Sequence, residues 1–300
     1  MLLINAIALM RYISPLRYPG GKARIAPFAA ELLGSQNPRP RRYAEPFAGG
    51  AGSALTLLVG EHVDIIHVND LNPGIAAFWR CVFNQTKRLI KRVEDAEVTL
   101  DAWHSAREVY DHPKRHGDLE LGFATFFLNR CNRSGILNAR PIGGLEQTGR
   151  WKIDARFNRE NLAERIAYIG SYRRRVELTE LDAREFLKIL SAHRRDVLVY
   201  VDPPYLGQGD DLYLDRLSAD DHRDLAVTLQ HSKLKWFLTY DADDRVTDEL
   251  YVDFRCAEFD INHTAQVNHM GTEFVVFADT IAVPGDLQVL ATAKGRWVVV

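Results

Sequence analysis

Asp202-Pro203-Pro204-Tyr205 is the stretch of the sequence whose residue types most clearly suit chemistry on a ligand. The two prolines restrict the backbone and remove two N–H donors, which leaves a neighbouring carbonyl oxygen available to accept a hydrogen bond. The loop therefore presents a carboxylate, a backbone carbonyl and an aromatic ring together. Two acceptors and a ring face suit a planar base that carries an exocyclic amine. A proline turn that merely ends a strand is the structural alternative.

An unbroken apolar run, Val197 to Val201, comes directly before these four residues. Such a run predicts a strand that is buried on both faces, as in a parallel sheet. Ligands of open α/β sheets bind beyond the carboxyl ends of the strands, which is where the four residues would lie. The strand therefore favours the chemical interpretation of the loop.

Three acidic residues follow other predicted strands and suit a nucleotide-type cofactor. Glu45 opens a glycine-rich turn before a predicted helix, and glycines let a backbone approach a ligand closely. Asp70 lies about twenty residues further on, where an acid contacts ribose hydroxyls in dinucleotide-binding folds. Asp70 also fits a simple turn before the Asn72-Pro73 helix start, and Asp182 with Glu185 has the spacing of a capping box. Both aspartates thus have a purely structural alternative.

Two familiar nucleotide-binding motifs do not fit. Gly20-Gly21-Lys22 lacks the first glycine and the Ser or Thr of a P-loop, because Leu16 and Ala23 stand at those positions. The turn at residues 49–52 does not match the GxGxxG of dehydrogenases. A dehydrogenase would also leave the Asp-Pro-Pro-Tyr loop unexplained.

A helical, basic region interrupts the alternation of strands and helices. We predict residues 93–169 as an inserted recognition region, and residues 1–92 and 170–300 as one catalytic domain of the α/β class. The stretch from Leu121 to Arg175 contains eleven Lys and Arg but four Asp and Glu. This excess of positive charge suits a nucleic-acid surface or a solvated helix face. The remaining strands are predicted at 236–240, 252–259 and 274–283, the last two antiparallel.

Bulk properties point to a soluble globular protein. The net charge is −2, and 46% of the residues are hydrophobic. Three scattered cysteines form no zinc or disulfide pattern and fit a reducing cytoplasm. No targeting signal or membrane span is found in the sequence. We therefore expect a cytoplasmic monomer without a metal or a membrane partner.

The motifs together resemble the Dam-like DNA adenine-N6 methyltransferases, most closely their prophage-type relatives. The resemblance rests on the order of four motifs: Tyr18-Pro19-Gly20-Gly21-Lys22, Glu45-Pro46-Phe47-Ala48-Gly49-Gly50-Ala51-Gly52, Asn69-Asp70-Leu71-Asn72 and Asp202-Pro203-Pro204-Tyr205. Asp221-His222 and Thr239-Tyr240-Asp241 also look like that family. It covers residues 16–283.

The resemblance implies a Rossmann-like class I methyltransferase sheet with an inserted, mainly helical DNA-recognition region. S-adenosyl-L-methionine is the implied cofactor, and double-stranded DNA the implied partner. The catalytic residues would be Asp202, Pro203, Pro204 and Tyr205. The cofactor would contact Tyr18, Pro19, Gly20, Gly21, Lys22, Glu45, Pro46, Phe47, Ala48, Gly49, Gly50, Asp70, Leu71, Asp182, Ala183 and Asp202. DNA would contact Asn129, Arg130, Asn132, Arg133, Ser134, Arg140, Arg150 and Lys152.

The expected reaction is methyl transfer to N6 of an adenine flipped out of the duplex. Asp202 and the Pro203 carbonyl would hold the two N–H bonds, Tyr205 would stack on the base, and the Gly207–Asp211 loop would order over the pocket. Methylation of cytosine N4 or RNA adenine uses the same amine chemistry and remains an alternative. A catalytically silent DNA-binding module is the alternative from another class.

Overall fold

The computed structural model describes residues 13–17, 22–206, 217–263 and 269–300. Tyr18, Pro19, Gly20 and Gly21 of the first motif lie outside the described residues, as does the Gly207–Asp211 loop. The side chain of Lys22 is not described either. The predicted roles of these residues therefore stay predictions.

A single eight-stranded sheet organises the chain, with the strand order β3-β2-β1-β4-β5-β7-β6-β8. Its first five strands in that order run parallel, and the pairs β5–β7, β7–β6 and β6–β8 are antiparallel. The strands are β1 Arg42–Glu45, β2 Ile65–Asn69, β3 Val176–Thr179, β4 Val197–Val201, β5 Lys235–Asp241, β6 Arg255–His263, β7 His269–Phe277 and β8 Arg296–Val299.

The predicted α/β class and Rossmann-like sheet are confirmed. All five residues of β4 are buried, because parallel strands on both sides pair with it and both of its faces are covered. The predicted antiparallel pair is also present, as β6 and β7, with bounds shifted by several residues. Strand β8 was not predicted, and its residues are mostly exposed at the sheet edge.

Helices connect the strands and fill the region between β2 and β3. They are α1 Ala26–Ser35, α2 Gly52–Val59, α3 Pro73–Asn84, α4 Thr86–Glu94, α5 Leu100–Asp111, α6 Asp118–Cys131, α7 Arg159–Gly170, α8 Ala183–Leu190 and α9 Ala219–Gln230. In the described part of the chain no helix is long and apolar enough to cross a membrane.

The helices between β2 and β3 pack on one another and on the sheet. Helix α3 contacts β3, α6 and α7, and α5 packs on α6. The approach of α6 to α3 requires a glycine, since a Cβ on Gly122 would lie 2.8 Å from the carbonyl oxygen of Ala77. The helical region is thus fixed rigidly to the sheet beside the strand ends.

Candidate active site

The carboxyl ends of four neighbouring parallel strands bring the predicted acids to one edge of the sheet. Glu45 ends β1, Asp70 follows β2, Asp182 follows β3 by a short loop and Asp202 follows β4. Crevices at this edge are where open α/β sheets bind ligands. The four acids, which are far apart in the chain, therefore lie along one edge of the sheet. We call this edge the rim.

Asp202 is held by a chain of buried hydroxyl groups. The Thr239 hydroxyl donates to Asp202 Oδ1 at 2.9 Å, and the Tyr200 hydroxyl lies 2.9 Å from the Thr239 oxygen. Because Thr239 gives its only proton to Asp202, Tyr200 must donate to Thr239. Tyr200 and Thr239 are both buried, so the chain fixes the orientation of the carboxylate. Thr239 belongs to the quoted motifs, but its bond to Asp202 was not predicted.

The rest of the Asp-Pro-Pro-Tyr loop contacts the antiparallel side of the sheet. Pro203 is buried, whereas Tyr205 is half-buried, and its hydroxyl donates to the carboxylate of Glu273 on β7. The Leu206 N–H donates to Asp241 Oδ1 at 3.3 Å, and burial raises the pKa of Asp241. Strands β5 and β7 therefore fix the position of the Asp-Pro-Pro-Tyr loop that follows β4.

Glu45 is a buried acid beneath the glycine-rich turn. Its Oε1 accepts a hydrogen bond from the Ala54 N–H at 2.9 Å, at the start of α2. Burial raises the pKa of Glu45 to about 8, and the charge of Asp202 adds to the effect. The turn itself contains Ala51 in the left-handed region, at φ 47°. A positive charge placed beside this carboxyl group would lower its pKa and favour the carboxylate form.

Asp70 joins the glycine-rich turn to the end of β2. Its Oδ2 accepts from the Gly49 N–H at 2.7 Å, and its Oδ1 accepts from the Asn72 N–H at 3.0 Å. Asn72 in turn caps α3, as the sequence predicted. The structural role of Asp70 is present, and its contact with a ribose stays a prediction. Leu71 beside it is 49% exposed, an apolar surface that suits the face of an adenine ring.

Asn69 was not predicted as a site residue, yet it ties three strand ends together. Its side-chain N–H groups donate to the carbonyl oxygens of Pro46 and Leu181, both at 2.9 Å, and its Oδ1 accepts from the Leu181 N–H at 3.0 Å. The residue is fully buried. Its position directly before the predicted Asp70 was the only available signal.

Asp182 caps helix α8, which confirms the structural alternative predicted for it. Its Oδ1 accepts from the Arg184 N–H at 2.8 Å, and the Arg184 guanidinium binds both carboxylate oxygens. The pairing with Arg184 lowers the pKa of Asp182. Glu185 supplies no side-chain bond to this cap, so the predicted capping box is reduced to its first half. A contact of Asp182 with the adenine of a cofactor stays a prediction.

Four of the predicted DNA contacts are exposed in the loops that follow α6. These are Arg133, Arg140, Arg150 and Lys152. The Arg150 guanidinium lies 5.5 Å from the ring of Trp151, which is 61% exposed, and Lys152 donates to the Gln147 carbonyl. Cations beside an exposed aromatic ring suit a nucleic-acid surface. Ser134 lies among them, half-buried and in the left-handed region.

Asn129 and Asn132 were also predicted to contact DNA, but the structure places both at 0% exposure. The Asn129 amide accepts from the Arg17 N–H and donates to the carbonyl oxygens of Arg17 and Gly135, at 2.7–2.8 Å. Asn132 accepts from the Trp103 indole at 2.6 Å and donates to two backbone carbonyls. Their side chains are committed to the protein interior, and we leave both out of the DNA surface.

Arg130 lies half-buried among other cations. It donates to the carbonyl oxygens of Arg156 and Pro15. Burial lowers its pKa to about 9, and the nearby charges of Arg17, Arg165 and Arg156 add to this effect. None of these four arginines forms an ion pair with an acid in the part of the chain that the structure describes. A phosphate would supply the missing negative charge.

Residues 13–17 connect this cationic group to the glycine-rich turn. The Ser14 hydroxyl donates to the Gly50 carbonyl at 2.6 Å, and Arg165 reaches the Ser14 carbonyl at 3.3 Å. Asn129 holds Arg17 at the other end of the segment. The predicted cofactor turn and the predicted DNA surface are therefore neighbours. No cluster suited to a metal ion occurs among the described residues.

A mixed sheet with this strand order, a glycine-rich turn after β1 and an Asp-Pro-Pro-Tyr loop after β4 define a Rossmann-like methyltransferase. The chain belongs to the D12 class N6 adenine-specific DNA methyltransferase family, whose model matches residues 18–269. The Type II methyltransferase M.MjaIII of Methanocaldococcus jannaschii is 24% identical over 203 residues, which is 63% of this chain and 68% of the relative.

Among solved structures, the rRNA methyltransferase aviRa from Streptomyces viridochromogenes aligns with 87% of this chain and 86% of its own. The identity is 14% and the TM-score 0.38. The family membership confirms the predicted enzyme class, methylation of adenine N6 in DNA. S-adenosylmethionine as methyl donor is implied by the family.

Proposed function

We propose that this enzyme flips an adenine out of double-stranded DNA and methylates its N6 from S-adenosylmethionine bound along the ends of β1, β2 and β3. The observation that carries the proposal is the fixed geometry of Asp202 beside Pro203. The Thr239 hydroxyl binds one oxygen of the carboxylate, and the Tyr200 hydroxyl holds Thr239 in place, so the orientation of the carboxylate is fixed. A preorganised acceptor of this kind suits an amine that must be positioned rather than activated by a metal.

The amine is a weak nucleophile because its lone pair is delocalised into the adenine ring. In our proposal the Asp202 carboxylate and the Pro203 carbonyl accept hydrogen bonds from its two N–H groups, so that the nitrogen becomes pyramidal. The Asp202 carboxylate also receives the proton that N6 loses when the new N–C bond forms. Tyr205 supplies the stacking surface for the flipped base, an interaction worth about 1–3 kcal/mol.

The residues at the strand ends fit the proposed cofactor. When bound, S-adenosylmethionine supplies a methyl group already activated by its positively charged sulfur. Glu45 would complement positive charge of the methionine part, and Asp70 would accept from ribose hydroxyls. Leu71 would cover one face of the adenine. The support is chemical: a buried acid, a glycine-rich turn and an exposed apolar side chain share one rim.

Residues 93–169, within the helical region between β2 and β3, are proposed as the DNA-recognition region. Its exposed arginines Arg133, Arg140 and Arg150 and the exposed Lys152 suit phosphates or base edges. The uncompensated cationic group around Arg130 lies between these residues and the glycine-rich turn. A phosphate beside the flipped nucleotide would pass close to it.

Methyl transfer to unmethylated genomic DNA from radiolabelled S-adenosylmethionine tests the proposal. We expect Asp202→Ala to abolish transfer while DNA affinity changes little, because the carboxylate acts on the flipped base. Asp253→Ala is the matched control, since Asp253 is an exposed aspartate before β6 and lies outside residues 93–169. Retention of more than a small fraction of wild-type activity by Asp202→Ala would remove the proposed role.

A further inference from the structure

Three polar side chains occupy one face of the sheet where β5 and β7 meet the Asp-Pro-Pro-Tyr loop. Thr239 and Asp241 are two residues apart on β5, so their side chains share a face. Glu273 on β7 lies directly opposite Asp241 in the antiparallel register, which places it on the same face. These strands are otherwise largely apolar and buried. Three adjacent polar side chains among buried apolar residues indicate that these side chains have specific partners.

Each of the three binds a different part of the loop. Thr239 binds the Asp202 carboxylate, Asp241 accepts from the Leu206 N–H, and Glu273 accepts from the Tyr205 hydroxyl. Glu273 is 1% exposed, and a buried carboxylate is costly unless hydrogen bonds compensate it. The phenol of Tyr205 provides such a hydrogen bond.

We propose that Glu273 is a positioning residue that fixes the plane of the Tyr205 ring as the stacking surface for the target adenine. The inference rests on the proposed function and adds a residue that lies outside the family motifs quoted above. A tyrosine tethered only at its backbone can turn about two side-chain bonds. The bond to Glu273 holds the far end of the ring, so the stacked base meets Asp202 and the Pro203 carbonyl in one orientation.

The proposal predicts a characteristic pattern of kinetics. Tyr205→Phe and Glu273→Ala should each lower kcat roughly tenfold, with a small change in the KM for DNA, because the ring remains but its orientation is lost. The double variant should be no slower than either single variant. Glu273→Gln should recover most of the rate, since its amide oxygen still accepts from the phenol.

The test is steady-state methylation of a duplex that carries the enzyme's methylation motif, which is first located by sequencing the modified adenines in genomic DNA treated with the enzyme. A second duplex carries 2-aminopurine in place of the target adenine. Stacking on an aromatic ring quenches this base, so the complex with Glu273→Ala should fluoresce more than the wild-type complex. Glu258→Gln is the matched control on β6, because Glu258 lies opposite Phe274, so its side chain is on the other face of the sheet from Glu273, where it pairs with Arg296. Thermal unfolding of every variant measures any loss of fold.

The possible outcomes separate the two proposals. Additive losses in the double variant, wild-type kcat in Tyr205→Phe, or no recovery in Glu273→Gln would each overturn the role of Glu273 while an active wild type upholds the function. A wild type that transfers no methyl group to DNA adenine would overturn the proposed function and this inference with it.

Discussion

At the scale of single residues, the site depends on acids whose surroundings decide their charge. Glu45 is buried and accepts one backbone hydrogen bond, so its carboxyl group favours the neutral form at neutral pH. Asp182 beside Arg184 has a lowered pKa and favours the charged form. The two ends of the proposed cofactor site are therefore electrostatically different before any ligand binds.

Glu45 predicts a pH dependence of stability in the ligand-free protein. Its pKa is 4.5 in an unfolded chain and about 8 in the fold, so between these values the folded state holds a proton that the unfolded state has lost. Stability from this group is fully present below about pH 4.5 and falls as the pH rises towards about 8. Urea unfolding at about pH 5 and about pH 8 should show this loss, and Glu45→Gln should reduce it.

The matched control is the exposed Glu97→Gln, which should leave the slope of stability with pH unchanged. An identical slope in wild type and Glu45→Gln would show that Glu45 ionises normally in the fold. The experiment requires cofactor-free protein, because a positive ligand beside Glu45 favours the carboxylate.

The residues of the rim differ in how far the sequence could predict them. Asp202 and Asp70 were identifiable because they directly follow apolar strands, and strand order places strand ends together. The bonds made by Thr239 and Glu273 were not, because they join positions more than thirty residues apart in the chain. Such contacts follow from register across the sheet, which no local pattern specifies.

At the scale of elements, the unbroken apolar run of a parallel strand was a better guide than composition. The apolar run of β4 predicted its span, since a strand buried on both faces admits few polar residues. In the basic region, the resemblance implied DNA contacts for Asn129 and Asn132 as well as for the arginines near the end of α6. Asn129 and Asn132 instead face inward, and only the position on the helix decides this.

Replacement of Asn129 should reveal an architectural role. Asn129→Ala removes three buried hydrogen bonds that hold Arg17 and Gly135 against α6. The unpaired backbone groups should lower the free energy of unfolding by about 3 kcal/mol. The KM for S-adenosylmethionine should rise as well, because residues 13–17 also bind the carbonyl of Gly50.

The exposed Asn138→Ala controls for the loss of an amide near the same helix and should change stability by less than about 0.5 kcal/mol. Denaturant unfolding and cofactor titration provide the measurements. Weaker DNA binding in Asn129→Ala with full stability and unchanged KM would restore the direct DNA contact first predicted for this residue.

At the scale of the whole molecule, a nearly neutral chain carries a local excess of positive charge beside the proposed site. The net charge is only −2, yet the loops after α6 and the group around Arg130 carry exposed or uncompensated arginines. Residues 13–17 join this surface to the glycine-rich turn. The proposed DNA surface and the proposed cofactor turn are thereby joined by one short segment, as transfer between two ligands requires.

This distribution of charge predicts the salt dependence of DNA binding. Arg133→Ala combined with Arg150→Ala should weaken binding to duplex DNA at all sequences and reduce the slope of log K against log salt by about two, since each phosphate contact releases about one counterion. Arg194→Ala combined with Arg195→Ala removes the same charge beside the amino end of β4, at the opposite edge of the sheet, and should change the slope far less. Binding measured over a salt series distinguishes the pairs. Equal slopes for both double variants would mean that these two arginines act only through net charge, and the DNA surface would then lie elsewhere on the molecule.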